Sequence, residues 1–540
     1  MSEIEQIDIR TSIDSLYMLY CTSLLPLVIL GIAFFYSGLT QRRSSLTMFS
    51  IPFLICPMII IDWFIWGYSL TYSTSSNHYI GNLSFAVLRS LKHQLNTQFT
   101  NSRGSILLLS HFLFNMFFKL ICAALTFPGC IAERGRILPM LLFLFIWSVI
   151  IYNPVTYWFW NENGWLSVDL NKLPVLDFAG GNCVHIVSGF TCLAYSYILG
   201  PRNPKILYNY RNLNTSHIII GMSFVLFGWI GFMAGCEFKF SYRSLFIITN
   251  TILAATSSGI IWTAIDFWFS SIPLEGELQP ITSEGSKLDP VISETGVLKS
   301  QRYHETKSNF IEKKKFSMIS FSSGIMAGLV VFTPAGGYIS SNDEFWKPIV
   351  FGVVGAIICN ISTRLKYFFQ IDDALDIFAI HGVAGIVGSL LTGLFANKSF
   401  GSEGGWIHHH WKQFGYQTLG VVITSCYVFI MSLFFLYLID LIPGLHLRID
   451  KNFNKREREK EKVKEEEESQ INETKVEFWE QVELQGTDAY EFNGEFMMDF
   501  IEFIKVIRPQ DYEDDTFQEV IEGNFNTSYQ SHETNLTKRD

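Results

Sequence analysis

Long apolar segments dominate the first four-fifths of the chain. A run of 18 or more residues with few charges can cross a bilayer as a helix, because the hydrocarbon layer is about 30 Å thick and a helix rises about 1.5 Å per residue. Eleven runs meet this criterion, at residues 15–38, 46–72, 106–130, 137–159, 177–200, 217–237, 243–269, 316–340, 346–363, 374–396 and 415–441. A soluble helical protein with so many apolar runs would have too little polar surface. The pattern therefore predicts an all-α polytopic membrane protein.

Lysine and arginine residues indicate the orientation of these helices. Basic residues of short loops stay on the cytoplasmic side, and alternate loops carry basic clusters at 42–43, 134–136, 202–211, 313–315 and 364–366. Placing these clusters inside leaves the acidic N-terminus outside, and an odd number of spans then puts the C-terminus in the cytosol. Because the first apolar run is long and follows acidic residues, we expect no cleavable signal peptide.

Composition and charge separate an apolar body from an acidic tail. The chain has 540 residues, of which 49% are hydrophobic and only 17% are charged, against about 25% charged in soluble proteins. Residues 451–540 contain 12 basic and 24 acidic residues, whereas residues 1–450 contain 28 and 26. Neither part has the basic excess of a nucleic-acid-binding protein. The net charge of −10 therefore belongs to the tail.

These boundaries give a predicted domain plan. Residues 1–14 form an extracellular N-terminus, 15–448 a membrane domain with a cytoplasmic insertion at 271–312, and 449–540 an acidic cytoplasmic regulatory tail. All nine cysteines fall in or at the ends of predicted spans and none has CxxC spacing. We therefore expect neither a disulfide framework nor a cysteine-based metal site.

Ionisable residues inside predicted spans are the candidate functional groups, because burying them in lipid is costly. His185 follows Asp177 by eight residues, which places both on one face of a helix, and His381 follows Asp373 and Asp376 by roughly two turns and one. A single membrane histidine is most simply a hydrogen-bonded packing residue. Small residues follow each histidine and permit close helix approach. Two histidines brought together could pass a proton, because imidazole donates from one nitrogen while accepting at the other.

Two tryptophans lie at an outer helix end. The faces of Trp160 and Trp165 could attract a cation that enters from outside. They are also consistent with the belt of tryptophans that anchors helices at the membrane surface. Composition favours the belt.

Specific sequence stretches resemble the ammonium transporter family (Amt/Mep/Rh), and in particular its fungal methylammonium-permease branch. They are GIAFFYSGLTQRRSSL (31–46), IAERGRILPM (131–140), NPVTYWFWNENGWL (153–166), DFAGGNCVHIVSG (177–189), FGWIGFMAG (227–235), NTILAATSSGIIW (250–262), GIMAGLVVFTPAGGYIS (324–340), DDALDIFAIHGVAGIVGSLLTGLFA (372–396), GWIHHHWKQFGYQ (405–417) and, in the tail, GTDAYEFNGEF (486–496). The resemblance covers the whole membrane body.

The resemblance implies a plasma-membrane ammonium transporter and not an enzyme. The family fold has eleven helices, as two inverted five-helix pseudo-repeats plus a final helix, and assembles as a homotrimer with one pore per subunit. The implied partners are ammonium or methylammonium, the bilayer, and a regulatory kinase or other tail-binding protein. No cofactor, metal or nucleic acid is implied.

Individual roles also follow from the resemblance. Trp160 and Cys236 recruit ammonium at an outer vestibule, and Phe118 and Phe232 form a stacked gate. His185 and His381 line an apolar lumen as a histidine pair. Asp177 and Asp376 give structural support. The implied mechanism is deprotonation of ammonium at the vestibule, conduction of ammonia past the histidines with net proton movement, and reprotonation inside.

The chain departs from the family pattern at several positions. Cys236 replaces a serine and Met233 an asparagine, and a thiol is the weaker hydrogen-bond partner. Lys119 directly follows Phe118, where a small apolar residue is usual; in a helix it points about 100° away from Phe118 and could pair elsewhere. A charged insertion at 452–478 separates the membrane body from the GTDAYEFNGEF segment.

The sequence is also compatible with other functions. An ammonium sensor that signals through its cytoplasmic tail, with slow transport, is the main alternative. An enzyme has no support, because the chain has no phosphate loop, GxSxG motif or cluster of metal ligands. Residues 408–410 are three consecutive histidines in a predicted outer loop, and a metal site there is a less favoured reading.

Overall fold

A computed structural model describes residues 9–75, 77–91, 98–100, 105–169, 173–207, 210–269, 316–339, 344–398, 402–449, 484 and 486–492. The predicted insertion 271–312, the charged insertion 452–478 and most of the tail lie outside these residues. Elsewhere the fold is almost entirely helical.

The α-helices are numbered along the chain. They are α1 (Ile9–Leu39), α2 (Ser45–Asp62), α3 (Tyr68–Tyr72), α4 (Leu108–Ile131), α5 (Ile137–Trp147), α6 (Asn153–Trp160), α7 (Val187–Leu199), α8 (Pro204–Leu207), α9 (Thr215–Gly235), α10 (Tyr242–Phe269), α11 (Met318–Phe332), α12 (Trp346–Ser362), α13 (Leu365–Phe369), α14 (Ala384–Phe395), α15 (Lys412–Asp440) and α16 (Thr487–Glu491). Short 3₁₀ turns lie at Arg42–Ser44, Ala86–Leu91 and Trp406–His408.

In the described part of the chain, four π-helical turns interrupt or open the long helices. They lie at Trp63–Gly67, Ser148–Tyr152, Gly181–Ile186 and Phe378–Val383. Single π turns inside α-helices are frequent at functional sites. Two of these four carry the histidines that the sequence singles out.

Within the described residues, ten helical segments are long and apolar enough to cross a membrane. They are Ser12–Leu39, Arg42–Tyr72, Leu108–Ile131, Ile137–Trp160, Gly181–Leu199, Thr215–Gly235, Tyr242–Phe269, Trp346–Phe369, Phe378–Phe395 and Lys412–Asp440. These ten correspond to ten of the eleven predicted spans.

The remaining predicted span, 316–340, which is the eighth along the chain, contains a shorter helix. α11 has 15 residues and gives way to turns at Thr333. Pro334 and the glycines that follow it explain the end of the helix, because proline cannot donate the backbone hydrogen bond that would continue it. The carbonyl of Pro334 instead accepts a hydrogen bond from the backbone N–H of Phe178 at 3.1 Å.

A small antiparallel hairpin was not expected. Strands β1 (Gln98–Thr100) and β2 (Ser105–Leu107) pair in the region expected to be a loop, with Phe99 opposite Ile106. β2 leads directly into α4, which therefore begins at Leu108.

Glycines allow the membrane helices to pack at short range. A Cβ atom on Gly31 of α1 would lie 2.6 Å from the carbonyl oxygen of Gly221 on α9. A Cβ atom on Gly189 would lie 2.2 Å from the backbone nitrogen of Gly382. Small residues are the usual means of close helix contact in membranes. The second contact brings together the two segments that carry His185 and His381.

Candidate functional site

The two histidines meet in the buried interior of the protein. The Nδ1 atoms of His185 and His381 lie 3.3 Å apart, and the rings stack with centroids 5.4 Å apart and planes inclined by 16°. Both residues have 0% exposure. The Nε2 atom of His381 lies 3.4 Å from the hydroxyl of Tyr36 on α1. A hydrogen-bonded line therefore runs from His185 through His381 to Tyr36.

Both histidines lie on π turns. His185 is the fifth residue of Gly181–Ile186, and His381 is the fourth of Phe378–Val383. The turns are close because Gly189 and Gly382 lack side chains where their backbones meet. An added carbon at Gly189 would lie 2.2 Å from the backbone of Gly382, so the two segments would have to move apart.

A column of aromatic rings leads from the histidines towards a pocket. The ring of Trp229 stacks on His185 at 5.6 Å and contacts Phe232 at 4.9 Å. Phe232 and Phe118 are nearly parallel, with centroids 4.2 Å apart and an interplanar angle of 10°. Phe118 contacts the edge of Trp160 at 5.7 Å. The two phenylalanines of the predicted gate thus lie between Trp160 and the histidines.

A pocket opens beyond Phe118, and we call it the vestibule. Its lining residues are Tyr72, His111, Phe114, Asn115, Phe118, Trp160, Cys236 and Phe238. Trp160 is held by a hydrogen bond from Nε1 to the carbonyl of Asp177 at 2.9 Å, and the thiol of Cys236 donates to the carbonyl of Phe232 at 3.3 Å. The vestibule thus combines aromatic faces with a few polar groups.

Several vestibule residues were missed by sequence reasoning. His111 and Asn115 precede Phe118 by seven and three residues, so all three fall on one face of α4. This spacing along α4 is the sequence signal that could have identified His111 and Asn115. The hydroxyl of Tyr72 donates to Oδ1 of Asn115 at 2.7 Å, and the hydroxyl of Tyr68 lies 3.2 Å from Nδ1 of His111.

Asp177 supports the start of the segment that carries His185. The expectation that Asp177 and His185 share one helix face is wrong, because the helical segment begins only at Gly181. Instead the carboxylate of Asp177 accepts four backbone N–H groups, those of residues 180, 181, 182 and 183, at 2.6–3.2 Å. The first N–H groups of a helix have no partner within it, so this carboxylate satisfies them.

An acidic cluster lies before the segment that carries His381. Asp376 accepts from Nζ of Lys366 at 2.8 Å, and Asp373 accepts the backbone N–H of Phe378 at 2.7 Å. Burial raises the pKa of Asp376, and it raises the pKa of Asp373 to about 6. The backbone of Asp376 has a φ of +55°, a left-handed conformation that aspartate tolerates better than most residues. These contacts fix the entry to the Phe378–Val383 turn.

A guanidinium network flanks this cluster. Arg202 donates to both carboxylate oxygens of Asp372 at 2.7 and 2.9 Å and to Glu133 at 2.5 Å. Although burial acts in the opposite direction, Arg134 and Arg202 together hold the pKa of Asp372 well below its usual range. Charge-assisted pairs of this kind are stronger than hydrogen bonds between neutral groups.

Lys119 points away from the aromatic column. Its Nζ atom lies 2.5 Å from Oδ2 of Asp62 on α2, and it also donates to Oδ1 of Asn153 at 2.8 Å. The lysine that follows Phe118 thus has a carboxylate partner.

A tail segment docks on the start of α2. The carboxylate of Asp488 accepts the backbone N–H of Leu46 at 3.0 Å and both the N–H and the hydroxyl of Thr47 at 2.7 Å. Arg43 donates to the carbonyl of Leu484 at 2.8 Å. Glu491 accepts the backbone N–H of Ile137, the first residue of α5, at 2.8 Å. Part of the GTDAYEFNGEF motif therefore caps two membrane helices.

Comparisons with known proteins agree on one family. The model of the Ammonium Transporter Family matches residues 16–271 and 306–467. Ammonium transporter 1 of Schizosaccharomyces pombe is 35% identical over 446 residues, which cover 81% of this chain and 78% of that protein. Ammonium transporter MEP2 of Saccharomyces cerevisiae is 33% identical over 437 residues, covering 78% and 76%.

Solved structures lead to the same family. The crystal structure of Candida albicans Mep2 has a TM-score of 0.67 and 31% sequence identity, and it covers 82% of this chain and 87% of that chain. The crystal structure of Saccharomyces cerevisiae Mep2 has a TM-score of 0.67 and 30% identity, covering 82% and 89%. The chain belongs to the ammonium transporter family and, like the relatives it matches, is a multi-pass membrane transport protein.

Proposed function

We propose that this protein takes up ammonium across the plasma membrane by conducting ammonia through a pore between His185 and His381. The observation that carries the proposal is the 3.3 Å separation of the two Nδ1 atoms at the end of the aromatic column. The column separates the histidines from the vestibule, so a cation at the vestibule and a proton acceptor in the lumen occupy different places.

Recruitment takes place at the vestibule. The indole of Trp160 and the ring of Phe118 offer negative faces to a cation, and Cys236 contributes a weakly polar sulfur. The Phe118–Phe232 stack closes the inner end of this pocket. The ammonium ion is therefore held by aromatic faces where the route narrows.

Selectivity follows from the apolar route below the gate. Potassium and ammonium have similar sizes, so a simple hole cannot separate them. A bare cation pays a large desolvation penalty among buried rings, whereas neutral ammonia crosses them at low cost. Ammonium can release a proton and potassium cannot. The histidine pair and Tyr36 offer hydrogen-bond partners to ammonia and a path for the released proton, so charge moves with the substrate.

In the proposed architecture, α11 is a membrane helix in addition to the ten described spans. Eleven helices would comprise two inverted five-helix halves and the final α15, with residues 1–14 outside and the tail of 449–540 in the cytosol. We further propose a homotrimer with one pore per subunit. In this arrangement the Asp488 contact with α2 lies on the cytoplasmic face, where a kinase or another partner could reach the tail.

The docked tail supports regulation of the pore by the segment around Asp488. Asp488 caps α2 through Thr47, and Glu491 caps α5. The same contact is the observation that favours a second candidate, an ammonium sensor that signals through its tail with slow transport. In cells that lack other ammonium permeases, a sensor at the cell surface would not support growth on low ammonium, whereas a transporter would.

The test of the proposed pore is uptake of labelled methylammonium. Wild type is compared with His185→Ala, His381→Ala and the control His78→Ala, a change in an exposed loop, with each rate divided by the amount of protein at the surface. We expect the control to match wild type and the other two to fall at least tenfold. Equal uptake by all four proteins would remove the histidines from the mechanism.

A further inference from the structure

A buried ion pair lies beside the gate and has no part in the mechanism described above. Nζ of Lys119 lies 2.5 Å from Oδ2 of Asp62, and the two side chains are 0% and 5% exposed. Lys119 is the residue after Phe118 on α4, and Asp62 is the last residue of α2. A full positive charge is thus held one residue from the gate of a cation pathway.

Each partner of the pair is also held by other groups. Asp62 accepts from the hydroxyl of Ser148 at 2.6 Å and from the indole of Trp66 at 2.6 Å. Lys119 donates to Oδ1 of Asn153 at 2.8 Å. Several hydrogen bonds therefore satisfy both charges, as a buried pair requires if it is to persist.

Two aromatic rings lie close to the side chain of Lys119. Its ammonium group lies 5.4 Å from the ring centroid of Trp63 and 5.5 Å from that of Tyr152, within range of a cation–π attraction. Trp63 and Tyr152 belong to two π turns, at Trp63–Gly67 and Ser148–Tyr152. Two distorted helix segments thus converge on a single lysine.

The pair is also connected to the vestibule through α4, which carries Lys119, and through α6, which carries the hydrogen-bond partner Asn153. α4 contributes Phe118 and Asn115 to the vestibule, and α6, which begins at Asn153, ends at Trp160. Without a partner, the charge of Lys119 would repel a second cation at the vestibule, because the low dielectric constant of the interior screens little.

We infer that Asp62 sets the affinity for ammonium, because its carboxylate cancels the charge of Lys119 beside the vestibule. The inference rests on the proposed function. Asp62 is here a positioning and charge-compensating residue, since it touches Lys119 and not the substrate.

The test compares the KM and the maximal rate of methylammonium uptake in four proteins. They are wild type, Asp62→Asn, Lys119→Met and the double variant Asp62→Asn with Lys119→Met. Asparagine has the shape of aspartate; its amide oxygen can still accept from Trp66, and its NH2 group can donate to the hydroxyl oxygen of Ser148. Maximal rates are divided by the amount of protein at the surface.

The account predicts opposite shifts for the two single variants. Asp62→Asn leaves the lysine charge unbalanced and raises KM roughly tenfold, the order of effect expected of a nearby unit charge at an effective dielectric constant of about 20. Lys119→Met leaves the carboxylate unbalanced and lowers KM. The double variant has no charge at the site and returns to the KM of wild type.

Other outcomes would overturn the inference. A purely structural pair would lower the maximal rate or surface amount of both single variants without shifting KM in opposite directions. If Asp62→Asn fails to reach the membrane, Lys119→Met alone decides, since an unchanged or raised KM contradicts the account. Absence of saturable uptake by wild type would instead refute the proposed function, so the two failures are distinguishable.

Discussion

The Nδ1 atoms of His185 and His381 lie 3.3 Å apart, and both rings are fully buried. A hydrogen bond at this distance needs one donor and one acceptor, so one ring carries its proton on Nδ1 and the other does not. The second nitrogen of His381 contacts the Tyr36 hydroxyl. The geometry therefore links two tautomers in one line, along which a proton can shift when the donor and acceptor roles exchange.

The contact between Gly189 and Gly382 is predicted to hold the histidines together. In Gly189→Ala the new Cβ would meet the backbone of Gly382 at 2.2–2.3 Å, so we expect a loss of about 1–3 kcal/mol in the free energy of unfolding and loss of uptake. Thermal unfolding of the purified protein and methylammonium uptake measure the two effects. Gly415→Ala is the matched control, since no atom lies within 4 Å of its added carbon. Equal stability of both variants would contradict this packing.

A stronger hydrogen-bond partner in the vestibule is predicted to tighten ammonium binding. Cys236 lines the pocket, and a hydroxyl is a better partner than a thiol. Cys236→Ser should lower the KM for methylammonium roughly two- to fivefold, equivalent to about 0.5–1 kcal/mol. Cys426→Ser, on an exposed surface, should leave KM unchanged. A raised KM for Cys236→Ser would exclude this position from recruitment.

The tail contact is predicted to stabilise α2 and to sustain uptake. Asp488→Ala removes all three hydrogen bonds to Leu46 and Thr47, and loss of a helix cap costs about 0.5–2 kcal/mol. We expect faster proteolysis of the tail and slower uptake. Thr47→Val, which removes only the hydroxyl bond, should give a smaller change in both. If the tail is cleaved faster while uptake stays at the wild-type rate, the Asp488 contact docks the tail but does not regulate uptake.

The acidic cluster before His381 predicts a pH-dependent stability. Burial raises the pKa of Asp373 to about 6 in the folded protein, above about 3.9 in an unfolded chain. Because the folded state favours the protonated form, this group destabilises the fold as pH rises from about 4 to about 6. The unfolding temperature of wild type should fall across that range, and Asp373→Asn should fall less. If the unfolding temperature falls equally in both proteins, groups other than Asp373 cause the decrease.

Local sequence patterns predicted the membrane helices well, because bilayer thickness imposes a length and an apolar composition on each span. Ten of the segments follow from that constraint. Span 316–340 was predicted too long, since the apolar residues around Pro334 continue the hydropathy signal after the helix has ended. The π turns were not predicted, because one additional residue in a turn leaves the hydrophobic periodicity almost unchanged.

Contacts between distant parts of the chain were the hardest to anticipate. Lys119 was expected to pair elsewhere, but no pattern linked it to Asp62, 57 residues earlier. The spacing of His111, Asn115 and Phe118 places them on one face of α4. That face looks like ordinary packing in the sequence, because Tyr72 and Trp160, which complete the vestibule, come from distant parts of the chain.

The central claim is that ammonium releases its proton before ammonia passes between His185 and His381 and that the proton crosses separately. The most direct measurement is current and labelled methylammonium uptake recorded together in voltage-clamped cells. The account predicts an inward current that scales with uptake, no such current when potassium replaces the substrate, and loss of both signals in the His185→Ala protein. Uptake by the wild-type protein without current would contradict the movement of charge with the substrate.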